Sequence, residues 1–432
     1  MKWPEELRPS RLSRHTLVQN TLSLYGVQLP NYLMPLVVIP YLARVLGATG
    51  WGLVAFAQAF GTYLSVVVEY GFFLSASRDV ARYRDDREKL GEILAGVLGA
   101  RAVLCAGCVV AALAVGMCAP IFRQQAGLMA AGAYWGLIQG FSMSWFFQGL
   151  ERMRLVAALE IPAQVLGIIA IFVFVHRTDQ GWLVLALQGS AYALPAVFEL
   201  ALAYREVPIR LPNLRSIRDA LRMGTSMFVY RGALTLYTTG NVLILGLLVS
   251  PQAVGYYAAA EKIGRASYRL LNPITQALYP RMSYLVAHSR EKAHRLARLG
   301  AIVVGGGGLV VGLIVFLSAP WLVRIILGPE FGPAVPLLRI LALMPALIAL
   351  GQAYGTQWML PLGLDRSFNL VMVLGGAMNV ALALIMVPRY ADFGMAWVAV
   401  LTEAMIAAGF YLVLRFYRLD PLRTRVGSEG GA

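Results

Sequence analysis

Three basic residues and one acidic residue stand in the middle of an apolar stretch at 253–281. Lys262, Arg265 and Arg269 recur at helical spacing, so they share one face of a helix. Glu261 lies one turn before Arg265 and can pair with it. Each charge at the centre of a membrane helix costs about 2.5–3.5 kcal/mol by insertion scales. Such a stripe of cations therefore needs water, an acidic partner or an anionic ligand.

Arg is suited to phosphate-bearing ligands, because its planar guanidinium can donate two parallel hydrogen bonds to one group. We therefore predict that Arg265 binds an anionic ligand, and the other candidate cations are Lys262, Arg269 and Arg231. The competing interpretation is that these cations only tie helices together through ion pairs. The acidic residues considered for such pairs are Glu69, Glu160, Glu199 and Glu403.

The composition is that of a membrane protein. Of the 432 residues, 59% are hydrophobic and 14% are charged, and the mean hydropathy is +0.66. Soluble domains average about 45–50% apolar and about 25% charged residues. The net charge of +15 does not indicate nucleic-acid binding, because most of the Lys and Arg residues lie in short loops between apolar runs.

Apolar runs long enough to span a membrane recur along the chain. We predict an all-α integral membrane fold with about twelve transmembrane helices. The runs lie at 17–43, 50–76, 91–118, 126–150, 155–176, 181–204, 223–249, 253–280, 299–327, 334–360, 367–388 and 393–414.

The loop charges predict the orientation, because cytoplasmic loops carry an excess of Lys and Arg. If the N-terminus is cytoplasmic, the inner loops carry most of these residues, and the outer loops carry only Arg44, Arg123, Arg177, Arg324 and Arg389. The asymmetry depends on 253–281 crossing the membrane, since otherwise every later loop changes sides. We therefore predict that this stretch is the eighth transmembrane helix and that both termini are cytoplasmic.

Two further cations lie inside apolar runs. Arg101 is near the inner end of the third predicted helix, and Arg339 is near the outer end of the tenth. Long basic side chains near helix ends can extend to the membrane surface. We expect both to do so.

The chain contains an internal repeat. The segment Val249–Gly255 lines up with Leu46–Gly52 at an offset of 203 residues, and Arg281 then corresponds to Arg78. Because six spans separate the related helices, both halves have the same orientation.

The repeat predicts two six-helix lobes, at 1–215 and 216–420, followed by a disordered tail at 421–432. The first-half positions that correspond to the cations of the eighth helix are uncharged: Ala59, Thr62 and Val66. The cationic character is therefore confined to the second lobe.

Four stretches, in order, carry a resemblance to a known family. They are Asn20–Gln28 leading to Pro40–Gly47, Glu69–Asp79 followed by Ala81 and Arg82, Trp145–Glu151, and Gly255–Ser283. Together they resemble the polysaccharide-exporting branch of the multidrug/oligosaccharidyl-lipid/polysaccharide superfamily. More narrowly, the chain is similar to Wzx-type flippases for O-antigen or other lipid-linked oligosaccharide repeat units. The resemblance covers nearly the whole chain but does not specify the sugar.

The resemblance implies two six-helix lobes that form a V around a central cationic cavity, which opens alternately inward and outward. It implies a substrate, an oligosaccharide of O-antigen, capsule or exopolysaccharide on an undecaprenyl pyrophosphate carrier. This substrate would move from the cytoplasmic to the periplasmic leaflet of a bacterial inner membrane. The cations would contact its pyrophosphate or acidic sugars. Expected partners are membrane lipids and the polymerase and chain-length proteins of the same pathway.

No cofactor or metal is expected, and the chain is not expected to be an enzyme. Glu69 and Glu261 are the candidate carboxylates for coupling to H+ or Na+, although Glu261 also has Arg265 as a partner. The membrane potential, negative inside, favours outward movement of an anion by about 2.3 kcal/mol per charge per 100 mV. Ion coupling is therefore not strictly required.

Three prolines in the first helix suggest a moving part. Pro30, Pro35 and Pro40 each remove a backbone hydrogen bond and permit bending. We predict a hinge here, with a permanently kinked helix as the alternative.

Other polytopic functions fit the chain less well. An oligosaccharide polymerase or ligase would be expected to have a large outer loop with catalytic residues, and no loop here is that long. A cation or drug antiporter of the same superfamily should place acidic groups in the cavity. A lipid II-type flippase moves the same kind of carrier, but such proteins tend to have two further helices. The lipid II-type flippase and the antiporter stay as alternatives.

Overall fold

The structure is a computed structural model that describes residues 14–269 and 272–420. Side chains are described from residue 37 onward, except at 230, 233, 234, 236, 237, 272–274, 276, 277 and 280. The regular secondary structure of the described residues is helical, which confirms the all-α prediction. The predicted disordered tail at 421–432 lies outside the described residues.

The first half of the chain forms helices that follow the first six apolar runs. They are α1 Arg14–Glu69, α2 Phe72–Arg82, α3 Arg87–Cys118, α4 Pro120–Gln124, α5 Ala126–Gly140, α6 Ser144–Gly149, α7 Met153–Phe174 and α8 Gly181–Glu206. The long helix α1 contains the first predicted span and most of the second. Gly47 (φ 66°, ψ 178°) interrupts it between these two spans.

The second half forms helices that follow the remaining six runs. They are α9 Leu214–Thr238, α10 Gly240–Leu248, α11 Pro251–Arg269, α12 Asn272–His288, α13 Arg290–Leu322, α14 Ala334–Leu341, α15 Met344–Gly351 and α16 Asp365–Phe416. Ala391 (φ 48°) interrupts α16, which therefore supplies the last two spans.

Seven helical segments of the described chain are long and apolar enough to cross a membrane. They are Val37–Arg82, Arg87–Cys118, Met153–Phe174, Thr178–Glu206, Arg290–Leu327, Ala334–Met359 and Asp365–Phe416. Helices also occupy the predicted runs near 126–150, 223–249 and 253–280. The protein is a multi-pass membrane protein.

One face of α13 has the character of a lipid-facing surface. Leu309, Leu313 and Leu317 recur every four residues, so they lie on one side of the helix. Each of these side chains is more than half exposed. An exposed apolar stripe of this length marks a face that is covered by another apolar phase, such as membrane hydrocarbon.

The helices pack mainly against helices of the same half. In the first half α5 packs on α1 and α8, and in the second half α13 packs on α15 and α11 packs on α14. The halves meet where α1 lies against α11 and where α2 and α3 lie against α9. The lobe boundary between residues 215 and 216 is not tested by these contacts and stays a prediction.

Two glycines related by the internal repeat form the closest crossing between the halves that we describe. A Cβ added to Gly52 would overlap the carbonyl oxygen of Pro251, and a Cβ added to Gly255 would overlap that of Ala48. These two contacts are reciprocal at the predicted offset, as expected where two helices cross on a local two-fold axis. The crossing therefore supports the predicted repeat register.

The proline-rich part of α1 is helical. The helix continues through Pro30, Pro35 and Pro40, and the interruption lies at Gly47. The side chains of Pro30 and Pro35 lie outside the described residues. The hinge stays a prediction, because one conformation does not test bending.

Candidate functional site

Lys262 on α11 reaches across to the first half of the chain. Its Nζ donates to Gln58 Oε1 on α1 at 3.4 Å and lies 4.4 Å from the centroid of the Trp51 ring. Gln58 Nε2 in turn donates to Gln188 Oε1 on α8 at 2.9 Å. We name Lys262, Trp51, Gln58 and Gln188 the Lys262 latch. It joins the halves by a cation–π contact and a hydrogen bond, both of which break when the halves separate there.

Arg265 turns toward its own half. Its Nε and Nη2 donate to Glu261 Oε1 at 3.2 and 2.9 Å, which confirms the pair predicted from their spacing. Nη2 also donates to the carbonyl oxygen of Thr238, at the end of α9. Glu261 Oε1 accepts a further hydrogen bond, of 3.4 Å, from the Tyr257 hydroxyl, which accepts one from the Asn241 amide at 3.2 Å. Tyr257 therefore holds the Glu261 carboxylate in place, and this carboxylate fixes the orientation of the Arg265 guanidinium.

The two members of this pair differ in exposure. The Glu261 side chain is 8% exposed, whereas the Arg265 side chain is 35% exposed. The two residues are four apart on α11, so the ion pair between them does not itself join helices. Here the carboxylate is enclosed, and the guanidinium keeps an open side.

The three cations of α11 are not gathered around one point. Lys262 contacts the first half, and Arg265 contacts the second. Arg269, the last residue of α11, is exposed. Ligand binding by these residues stays a prediction.

Arg231 on α9 forms an ion pair with Glu69 at the end of α1. Its Nη1 lies 3.4 Å from Glu69 Oε2, and the side chains are 40% and 15% exposed respectively. The pair links the two halves. For Arg231 the structure thus provides the contact expected from the competing interpretation, while leaving part of the guanidinium open.

Glu69 also caps a break between α1 and α2. Tyr70 (φ 48°) and Gly71 (φ 75°) leave the helical conformation, so the first N–H groups of α2 need acceptors. Glu69 Oε1 accepts from the Phe73 N–H at 2.7 Å, and Oε2 accepts from the Gly71 N–H at 3.2 Å. These contacts give Glu69 a structural role. Coupling to H+ or Na+ through Glu69 or Glu261 stays a prediction.

Arg101 is buried, so the expectation that it extends to the membrane surface is wrong. Its side chain is 1% exposed, and its Nη1 donates to the Ser142 carbonyl oxygen at 2.8 Å. The guanidinium carbon lies 5.7 Å from the Phe72 ring centroid and 5.8 Å from that of Trp145. Arg101 thus joins the start of α2 to the interruption between α5 and α6. The aromatic rings and the carbonyl replace water as its surroundings.

A buried carboxyl group contacts the same interruption. Glu199 on α8, 1% exposed, accepts from the Met143 N–H through Oε2 at 3.3 Å. The sequence analysis missed this break, although the polar residues Ser142 and Ser144 within the fourth apolar run could have indicated it. The contacts of Arg101 and Glu199 with this interruption depend on how separate helices pack, which a local sequence pattern does not show.

The chain matches a known family along most of its length. A sequence profile of the polysaccharide biosynthesis protein family matches residues 17–286. The "Putative O-antigen transporter" of Escherichia coli (strain K12) is 31% identical over 414 residues, which are 94% of this chain and 98% of that protein. A protein of the same name from Shigella dysenteriae is 28% identical over 399 residues, 90% of this chain and 97% of that protein.

Solved structures share the fold. One is a multidrug resistance MATE family transporter of the MOP superfamily in an inward-facing conformation, with a TM-score of 0.69 at 16% identity over 91% of this chain and 98% of that one. Another is the lipid II flippase MurJ in an inward closed conformation, with a TM-score of 0.62 at 11% identity over 92% and 87%. At these identities the likeness concerns the fold alone. The chain therefore belongs to the polysaccharide biosynthesis protein family, and its fold is that of an all-α membrane transporter.

Proposed function

We propose that this protein is a flippase for undecaprenyl-pyrophosphate-linked oligosaccharide repeat units of O-antigen, capsule or exopolysaccharide. It moves them from the cytoplasmic to the periplasmic leaflet of a bacterial inner membrane, with both of its termini in the cytoplasm. Two features support this: the relatives are named as O-antigen transporters, and a lipid II flippase shares the fold. The polymerase and chain-length proteins of the same pathway are the expected partners.

The observation that carries the proposal is the one-sided exposure of the Glu261–Arg265 pair. A diphosphate head group must cross about 30 Å of hydrocarbon. A cation fixed in place by an enclosed carboxylate, with 35% of its side chain exposed, lowers that barrier without having to be ordered when the substrate arrives. Arg265 is the proposed first contact of the diphosphate, and Lys262, Arg269 and Arg231 are the further candidates.

Alternating access requires contacts between the halves that break at low cost. Partly exposed ion pairs contribute about 0–1 kcal/mol, and accessible cation–π contacts contribute about 0.5–1 kcal/mol. The Arg231–Glu69 pair is of the first kind. The cation–π contact of the Lys262 latch is made to Trp51, which is only 2% exposed, so it contributes about 2 kcal/mol and is the costlier of the two to break. We propose that both open and re-form during the transport cycle, while the helices of each half move together.

The membrane potential can supply the driving force. A head group with about two negative charges gains roughly 4–5 kcal/mol at 100 mV when it moves outward across the full field. Coupling to H+ or Na+ through Glu69 or Glu261 would add to this term. Transport that responds to potential alone would show that such coupling is not needed.

The test is the leaflet distribution of lipid-linked oligosaccharide in cells. We compare wild type, a deletion, the double variant Glu261→Gln/Arg265→Gln and the control Arg339→Ala at matched protein levels. Arg339 is an exposed cation within an apolar run, stacked over the Phe316 ring at 5.5 Å, and it takes no part in the candidate site.

We expect lipid-linked oligosaccharide to accumulate on the cytoplasmic leaflet in the deletion and the double variant, but not in the control. Accumulation in the deletion but not in the double variant would indicate that Arg265 has only a structural role. An unchanged distribution in the deletion would refute this substrate class.

A further inference from the structure

A cavity of about 900 Å³ lies at the end of the molecule that the loop charges place outside. Its walls come from both halves of the chain. The first half contributes segments 46–53, 124–128 and 178–182, and the second half contributes Gln252 and Glu330 among others. We name this cavity the outer pocket. Ligand sites are typically concavities of about 300–1,000 Å³ and are frequent where two domains meet.

Amide side chains from separate segments converge on the outer pocket. Gln124, Gln125 and Gln252 line it, and Thr49 and Thr178 add hydroxyl groups. A primary amide presents a donor and an acceptor side by side, whereas a hydroxyl both donates and accepts. Such a lining matches a ligand that carries many adjacent hydroxyl groups.

Two aromatic side chains complete this chemistry. Trp182 lines the outer pocket and is 48% exposed, so part of its ring surface is open to a ligand. Tyr256 lines it from the second half, and its hydroxyl accepts from Gln252 Nε2 at 2.8 Å, which fixes both side chains. An aromatic face buries the apolar C–H side of a sugar ring, while its polar edge stays available for hydrogen bonds.

The charges of the outer pocket exclude an anion. Its described lining contains the carboxylates Asp179 and Glu330 but neither Lys nor Arg. Arg177, outside the lining, pairs with Asp179 at 3.1 Å and compensates one of the two charges. A phosphate here would meet like charge, which costs free energy, whereas a neutral saccharide would find additional acceptors.

The backbone of the outer pocket is shaped for close approach. Gly47 adopts φ +66°, a conformation that side chains other than glycine rarely take, and a Cβ there would lie 3.2 Å from Glu330 Oε2. The interruption of α1 at this glycine thus leaves room for the carboxylate of the opposite half. Both halves therefore contribute walls to the pocket in this conformation.

We infer that the outer pocket is a saccharide-binding site that takes the sugar portion of the transported lipid. This assignment rests on the proposed function. Gln252 and Lys262 are ten residues apart on α11, about 15 Å along the helix axis. Gly255, at the crossing with Gly52, lies between these two positions, so the sugars reach the outer pocket from the cations only when that crossing opens. The anion then lies at the cations and the polyhydroxylated part toward the outside. Uncharged amide and aromatic groups at the exit bind the sugars without retaining the diphosphate.

The test measures binding of a carrier-free ligand to the whole protein. The probe is the repeat-unit oligosaccharide released by mild acid from the lipid-linked oligosaccharide of the producing cell. Calorimetric titration into the purified protein in nanodiscs compares wild type with Trp182→Ala and Gln252→Ala, one variant from each half. The control is Trp321→Ala, a tryptophan on α13 that is 74% exposed and lies outside the lining.

We expect the wild type and the control to bind equally, and each pocket variant to bind at least about tenfold more weakly. Equal binding by all four proteins would overturn the assignment, and so would an absence of binding to a wild type that still moves the lipid-linked form. Binding that depends on Trp182 and Gln252 in a protein that moves no lipid would support the pocket and refute the proposed function. Because both side chains are exposed, their truncation leaves the folded core intact.

Discussion

Replacing Arg265 with Gln removes a cation but leaves Glu261, only 8% exposed, without its ionic partner. Removing one member of a buried ion pair costs about 3–5 kcal/mol. Because the Arg265 side chain is 35% exposed, solvent already weakens this pair, and we expect a loss of about 2 kcal/mol. Such a loss lowers the thermal unfolding midpoint by about 2–4 °C.

The double variant Glu261→Gln/Arg265→Gln separates stability from function. It removes both charges, and the amide at position 261 can still accept from Tyr257. We expect its midpoint, measured in detergent by thermal unfolding, to return to within about 1 °C of wild type. The double variant should still have no flipping activity, as we expect for Arg265→Gln, because both variants lack the cation. Equal midpoints for the single and double variants would refute the argument about Glu261, and normal flipping by the double variant would refute ligand binding by Arg265.

Three further changes test individual contacts. Gly52→Ala should force the halves apart at their crossing and raise the labelling of introduced outer-end cysteines, whereas Gly107→Ala, with no atom within 4 Å of the added Cβ, should not. Glu69→Gln should keep most flipping activity because the amide oxygen still caps α2, and Glu69→Ala should lose this activity. If flipping depends on H+ or Na+ and Glu69→Gln abolishes that dependence, Glu69 takes part in ion coupling instead. Arg101→Met should lower the thermal midpoint by more than Arg339→Ala does, because only Arg101 is buried against a carbonyl oxygen and two rings.

Local patterns predicted much of the architecture. Hydropathy located the helical runs, because each span must carry enough apolar residues to cross hydrocarbon. The Glu261–Arg265 pair followed from a spacing of four within one helix. The offset between Leu46–Gly52 and Val249–Gly255 agrees with the register at which Gly52 and Gly255 cross, although the crossing itself was not predicted.

Contacts between distant parts of the chain were beyond local reasoning. The sequence placed Lys262 and Arg265 on one helix face, but it did not show that Lys262 reaches Trp51 on another helix. From the sequence, Arg101 was interpreted as a residue near a helix end. Its actual surroundings were not predictable locally, because they include an interruption some forty residues away. The outer pocket was missed for the same reason, since its lining comes from several short segments that meet only in the folded protein.

Flipping by the purified protein tests the central claim most directly. Proteoliposomes would carry the lipid-linked oligosaccharide initially on the inner leaflet, and a sugar-specific lectin outside would report its arrival. With an inside-negative potential, the account predicts that wild-type protein exposes the oligosaccharide faster than protein-free vesicles, and that the double variant does not. Arrival at the protein-free rate, with correctly folded wild-type protein in the membrane, would contradict the account.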